Sequence, residues 1–92
     1  MLDVMKVIIL YRPKSAHGTE VETFIHDFSK IHDGGEKLEV VDADSANGIS
    51  IAELYDIVEF PAILAVDDRG SLLKGWMGSS LPLSNEVAYY VQ

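Results

Sequence analysis

The side chains best equipped for chemistry crowd into one stretch, Tyr11-Arg12-Pro13-Lys14-Ser15-Ala16-His17-Gly18. Ser15 offers a hydroxyl and His17 an imidazole, while Arg12 and Lys14 are two of only seven basic residues in the chain. At the start of a helix, a serine hydroxyl accepts a hydrogen bond from a backbone N–H two or three residues on. His17 could hydrogen-bond a partner carbonyl, and the Arg12–Lys14 pair could receive a carboxylate. The plainer reading of both is solvated loop residues. A second place of interest is Phe60-Pro61, where a proline opens an apolar run. A missing N–H is harmless at the first residue of a strand.

Other combinations carry less. His26 and His32 lack the three- or four-residue spacing that puts two ligands on one helical face. Asp42, Asp44, Asp67 and Asp68 do not alternate as calcium-loop ligands do and lack the terminal glutamate. Turn chemistry explains them better. No metal site is expected. The chain has no cysteine, which excludes disulfides, thiolate metal sites, iron–sulfur clusters and a thiol nucleophile.

The elements that must position these residues follow from apolar patterning. Val4 to Tyr11 is an almost unbroken apolar run, the pattern of a central strand covered on both faces. Ser15 to His32 carries Val21, Phe24, Ile25, Phe28 and Ile31 at helical spacing, and Asp33-Gly34-Gly35 ends it. Leu38 to Val41 reads as a strand closed by Asp42-Ala43-Asp44. Ser45 to Ile57 reads as a helix with Ile51, Ala52 and Tyr55 inward. Ala62 to Val66 and Ser71 to Met77 are strands joined by Asp67-Asp68-Arg69-Gly70, a connection of hairpin length, so this pair is expected to be antiparallel. Ser80 to Val91 reads as a closing helix with Pro82 in its first turn. The order is βαβαββα: an α/β fold with a four-stranded mixed sheet and helices on both faces, in one domain over residues 1–92. Strands separated by helices are expected to run parallel.

This order, with four landmarks, resembles the thioredoxin-like family. Those landmarks are the acidic turn Asp42-Ala43-Asp44, the helix end Leu54-Tyr55-Asp56-Ile57, Pro61 opening a strand, and Gly70 followed by Gly78. The resemblance implies that Pro61 is the family's cis-proline and that Gly78 flanks the substrate groove. It also implies that Ser15 and Gly18 stand where the family has its two redox cysteines; the Arg12-Pro13 pattern is similar to the glutaredoxin version of that loop. Thiol–disulfide exchange needs thiolate attack on sulfur, which neither residue can perform. The apolar Val7-Ile8-Ile9-Leu10 also lacks the buried carboxylate that thioredoxins carry on this strand.

The function expected is therefore a redox-inactive module that binds a protein or an extended peptide. Its site would comprise Arg12, Ser15, Ala16, His17, Gly18, Phe60, Pro61, Gly78 and Ser79, with free backbone groups at Phe60 recognising main chain. Two alternatives stand beside it. One is an enzyme-like domain that binds glutathione or another thiol through Ser15. The other is a structural subunit that self-associates as a homodimer, with Tyr89 and Tyr90 as candidates for the patch and Trp76 near the groove or in the core.

Composition bounds the partners. The net charge of −8, from fifteen acidic against seven basic residues, argues against nucleic acid and anionic membrane, whose recognition needs basic side chains. No apolar run is long enough to span a bilayer, and Val4 to Tyr11 is too short for a signal-peptide core and carries Lys6. A cytoplasmic location and no cofactor are expected.

Overall fold

The structure, a computed structural model, describes residues 6–31, 38–78, 81, 82, 86 and 87. Its sheet is built around β1 (Lys6–Tyr11), in which every residue after Lys6 is buried. The other strands are β2 (Leu38–Asp42), β3 (Ala62–Val66) and β4 (Leu72–Met77), in the order β2-β1-β3-β4. Because successive side chains of a strand point to opposite faces, β1 feeds two cores. Val7, Ile9 and Tyr11 join Val21 and Phe28 of α1 (Gly18–Ile31), with Ile63, Ala65 and Val87. Ile8 and Leu10 join Val41, Ile57, Leu64 and Val66, covered by Ile51, Ala52 and Tyr55 of α2 (Ala46–Tyr55). Burying a side chain such as fully enclosed Phe28 contributes about 1.5–3 kcal/mol. The α1 stripe is completed by Phe24, whose ring stacks on Phe28 at 6.2 Å between centroids.

The expected α1 start at Ser15 is corrected to Gly18. Residues 12–18 first make tight turns, with Ser15 N–H donating to the Arg12 carbonyl at 3.1 Å and Gly18 N–H to the Ser15 carbonyl at 3.1 Å. The first helical bond is Val21 N–H to the His17 carbonyl, so His17 and not Ser15 occupies the capping position.

A second correction concerns direction. β1 and β2 are parallel as expected, and β3 and β4 antiparallel, but β3 runs antiparallel to β1, with Leu10 opposite Ala62 and Lys6 opposite Val66. The cause lies after α2. That helix, capped by Ser45 beside the ends of β1 and β2, carries the chain far enough for the Tyr55 hydroxyl to donate to the Gly70 carbonyl in the distant β3–β4 turn. Its ten residues rise about 15 Å. Asp56 then takes a left-handed conformation (φ 58°, ψ 44°) and reverses the path. Residues 56–61 can span roughly 20 Å, enough to return to the end of the sheet that the chain had left. β3 therefore sets out from where β1 finishes.

Local polar chemistry supports these reversals. Ser45 Oγ accepts from Gly48 N–H at 3.0 Å and donates to the Asp42 carbonyl at 2.7 Å, while the Asp42 carboxylate accepts from Asp44 N–H at 2.9 Å. In the β3–β4 turn one Asp67 oxygen accepts from Arg69 and Ser71 N–H, both at 2.9 Å. Both aspartates thus serve turns. A bulge between Ala65 and Val66 shifts the pairing with β4. Trp76 is half-buried and packs on the α1 side of the core. Of the expected closing helix, only Leu81, Pro82, Glu86 and Val87 are described; 86 and 87 are helical and Val87 is buried. The remainder of that helix, Gly34-Gly35, His32 and Tyr89-Tyr90 lie outside the described residues. Among the described residues no helix is long and apolar enough to cross a membrane.

Candidate functional site

The sheet register decides which loops can meet. Tyr11 pairs with Asp42 and Leu10 with Ala62. The segment after β1, the acidic turn after β2 and the segment entering β3 therefore emerge at one end of the sheet. β4 returns to that end, where Gly78 N–H donates to the Pro61 carbonyl at 3.0 Å. The Phe60–Pro61 peptide bond is cis, and Gly78 has φ 94°, a conformation that favours glycine.

Arg12 ties these pieces together. Its guanidinium lies over the Phe60 ring, 4.9 Å from the centroid. Its Nε donates to Asp44 Oδ1 at 3.1 Å. Its carbonyl accepts from Ser15 N–H and, at 2.6 Å, from the Ser15 hydroxyl. Its N–H donates to His17 Nε2 at 3.3 Å. Ser15 and Pro61 are thereby linked through Arg12 and Phe60. Ala16 is exposed. Ser79 lies outside the described residues.

Gly18 is required by packing. A Cβ on Gly18 would stand 2.2 Å from the Pro13 carbonyl oxygen. The loop has closed onto a position with no side chain. The Ser15 hydroxyl hydrogen is likewise committed to a carbonyl of its own loop.

Two open cavities flank Arg12. One, of about 430 Å³, is lined by Arg12, Pro13, Lys14, Ser15, Asp42 and Asp44. It holds two cations and two carboxylates, so the positive spot expected from Arg12 and Lys14 is neutralised by the acidic turn. The other, of about 350 Å³, has apolar walls from Ile49, Ala52, Ile57, Val58 and Phe60, with Arg12, Asp44, Glu53 and Asp56 at its rim. The site expected from the sequence does not include Ile49, Val58 or Asp44. The available signal was apolar side chains at positions that no core stripe claims: Val58 is 85% exposed and Ile49 is 49% exposed. Among the described residues, the Phe60 N–H and C=O make no hydrogen bond.

Behind the loop, the buried Tyr11 hydroxyl donates to Glu22 Oε2 at 3.0 Å. Burial pushes the Tyr11 phenol above its ordinary pKa, and the Glu22 hydrogen bond and the charges of Glu22 and Asp42 push the same way. This pair anchors the start of α1 to the end of β1. Among the described residues no three His, Asp or Glu side chains are grouped to hold a metal ion.

Comparison with solved structures places this geometry in a known architecture. Oxidised thioredoxin from Plasmodium falciparum matches with a TM-score of 0.71 at 16% identity, over 98% of this chain and 84% of that one. Thioredoxin-2, a component of the malaria parasite protein secretion machinery, matches at 0.67 and 16%, over 97% and 82%. Mitochondrial thioredoxin 3 from Saccharomyces cerevisiae, oxidised form, matches at 0.64 and 13%, over 97% and 77%. No family model matches the sequence, and no curated protein does. The chain has the thioredoxin-like fold without a cysteine.

Proposed function

We propose that this chain is a redox-inactive, thioredoxin-like binding module that recognises an extended peptide or partner loop by its main chain. The observation that carries the reading is Phe60, whose backbone N–H and C=O have no partner among the described residues and lie beside an open apolar groove. An extended peptide laid along such an edge satisfies both groups, while alternate side chains enter or leave the groove. Dithiol–disulfide chemistry is excluded by the absence of sulfur nucleophiles. The thiol-ligand alternative has less support, because the Ser15 hydroxyl already donates to the Arg12 carbonyl.

The test is an N-methyl scan of a bound extended peptide. Methylating a backbone nitrogen removes one donor and leaves the side chains unchanged. Main-chain pairing predicts loss of binding at alternate positions only. Indifference to methylation at every position would remove the reading.

Self-association keeps a specific observation in its favour. Among the described residues β4 pairs only with β3, and Leu72, Leu73 and Met77 on it are each more than 40% exposed. Sedimentation over a concentration series tests it, and a monomer throughout would end it. The cytoplasmic placement belongs to this proposal as well, and cell fractionation tests it.

A further inference from the structure

The groove beside Phe60 has an acidic rim that the surrounding chain does not neutralise. Of its four charged side chains, Arg12 and Asp44 pair with each other at 3.1 Å. Glu53 and Asp56 form no ion pair among the described residues. The net charge of −8 reinforces this local field. The groove volume of about 350 Å³ lies near the lower end of the roughly 300–1,000 Å³ typical of ligand pockets. Its apolar walls stand open: nothing among the described residues covers Val58.

We propose that this groove takes an extended peptide segment carrying a large apolar side chain flanked by lysine or arginine. The inference rests on the groove reading above and names its ligand class. The apolar side chain lies between Ile49, Val58 and Phe60, and the flanking cations face Glu53 and Asp56. Acidic flanks would meet like charge across the rim, which selects against them. Attraction between exposed charges is screened by salt, so the preference weakens as ionic strength rises.

The test titrates three short labelled peptides into the intact chain: Lys-Lys-Leu-Val-Lys, Glu-Glu-Leu-Val-Glu and Lys-Lys-Ser-Thr-Lys. The first is expected to bind most tightly and to shift the amides of Ile49, Val58 and Phe60. Glu53→Gln with Asp56→Asn is expected to weaken it roughly two- to fivefold per carboxylate removed. Asparagine tolerates the left-handed conformation at residue 56, so the variant keeps the helix end. Equal affinity for the lysine- and glutamate-flanked peptides would overturn the cationic preference and leave the groove reading standing. Equal affinity for the two lysine peptides would overturn the apolar anchor. Shifts of the same amides on concentrating the protein alone would assign the groove to a second copy of the chain. No amide response to any peptide would overturn both this inference and the reading beneath it.

Discussion

Arg12 lies over Phe60, its guanidinium carbon 4.9 Å from the ring centre, while its Nε holds Asp44 at 3.1 Å. One side chain from the loop after β1 thus reaches both the segment entering β3 and the acidic turn after β2. Three chain segments at this end of the sheet are thus joined through this residue.

Removing Arg12 should therefore loosen the edge more than it destabilises the fold. Both partners of the ion pair are about half exposed or more, so it contributes about 0–1 kcal/mol. The contact with the ring adds roughly 0.5–1 kcal/mol. Arg12→Ala is expected to lower the denaturant midpoint by a corresponding amount, and a double-mutant cycle with Asp44→Asn should return a small coupling. A loss above about 3 kcal/mol would mean that Arg12 has a core role that its exposure does not show.

Gly18 should resist replacement. A Cβ only 2.2 Å from the Pro13 oxygen forces the loop to move. Gly18→Ala is expected to cost about 1–3 kcal/mol, while Ala16→Ser on the exposed side of the same loop stays within about 0.5 kcal/mol. Equilibrium unfolding of both variants checks the contrast. For the same reason, Ser15→Cys with Gly18→Cys should not yield a stable redox pair in this loop geometry.

Stability should fall at high pH through Tyr11. The folded state holds its phenol above the ordinary value of 10.0, chiefly by burial and then by Glu22. The unfolded chain ionises first, so the contribution is complete below that value and lost as pH rises through the folded pKa. Tyr11→Phe should flatten the alkaline limb relative to the natural chain, and Glu22→Gln should move the Tyr11 titration downward. An unchanged alkaline limb in Tyr11→Phe would contradict the assignment.

The left-handed Asp56 closes α2 and turns the chain back. Asp56→Gly should cost little, since glycine adopts this conformation without penalty. Asp56→Val should cost about 1–3 kcal/mol. If valine is as well tolerated as glycine, the reversal does not depend on that conformation.

Much of the scaffold could be read from local patterns, because burial on both faces is written directly into runs such as Val7 to Leu10 and Ala62 to Val66. The α1 stripe was legible for the same reason: its members lie within a turn or two of one another. The direction of β3 was not, since it depends on how far α2 descends before Asp56 reverses the chain. The start of α1 was misread because Ser15 looks like a cap, yet its hydroxyl donates backwards to Arg12. Arg12 with Phe60, Asp44 with Arg12, and Tyr11 with Glu22 become neighbours only once the loops dock. Val58, an exposed valine in a short link, carries no periodic signal.

The most direct measurement is hydrogen exchange of the Phe60 amide with and without a bound extended peptide. Recognition by main chain predicts slowed exchange at Phe60 in the complex, since its N–H gains an acceptor there. Unchanged exchange at Phe60 while the peptide is demonstrably bound would contradict the account.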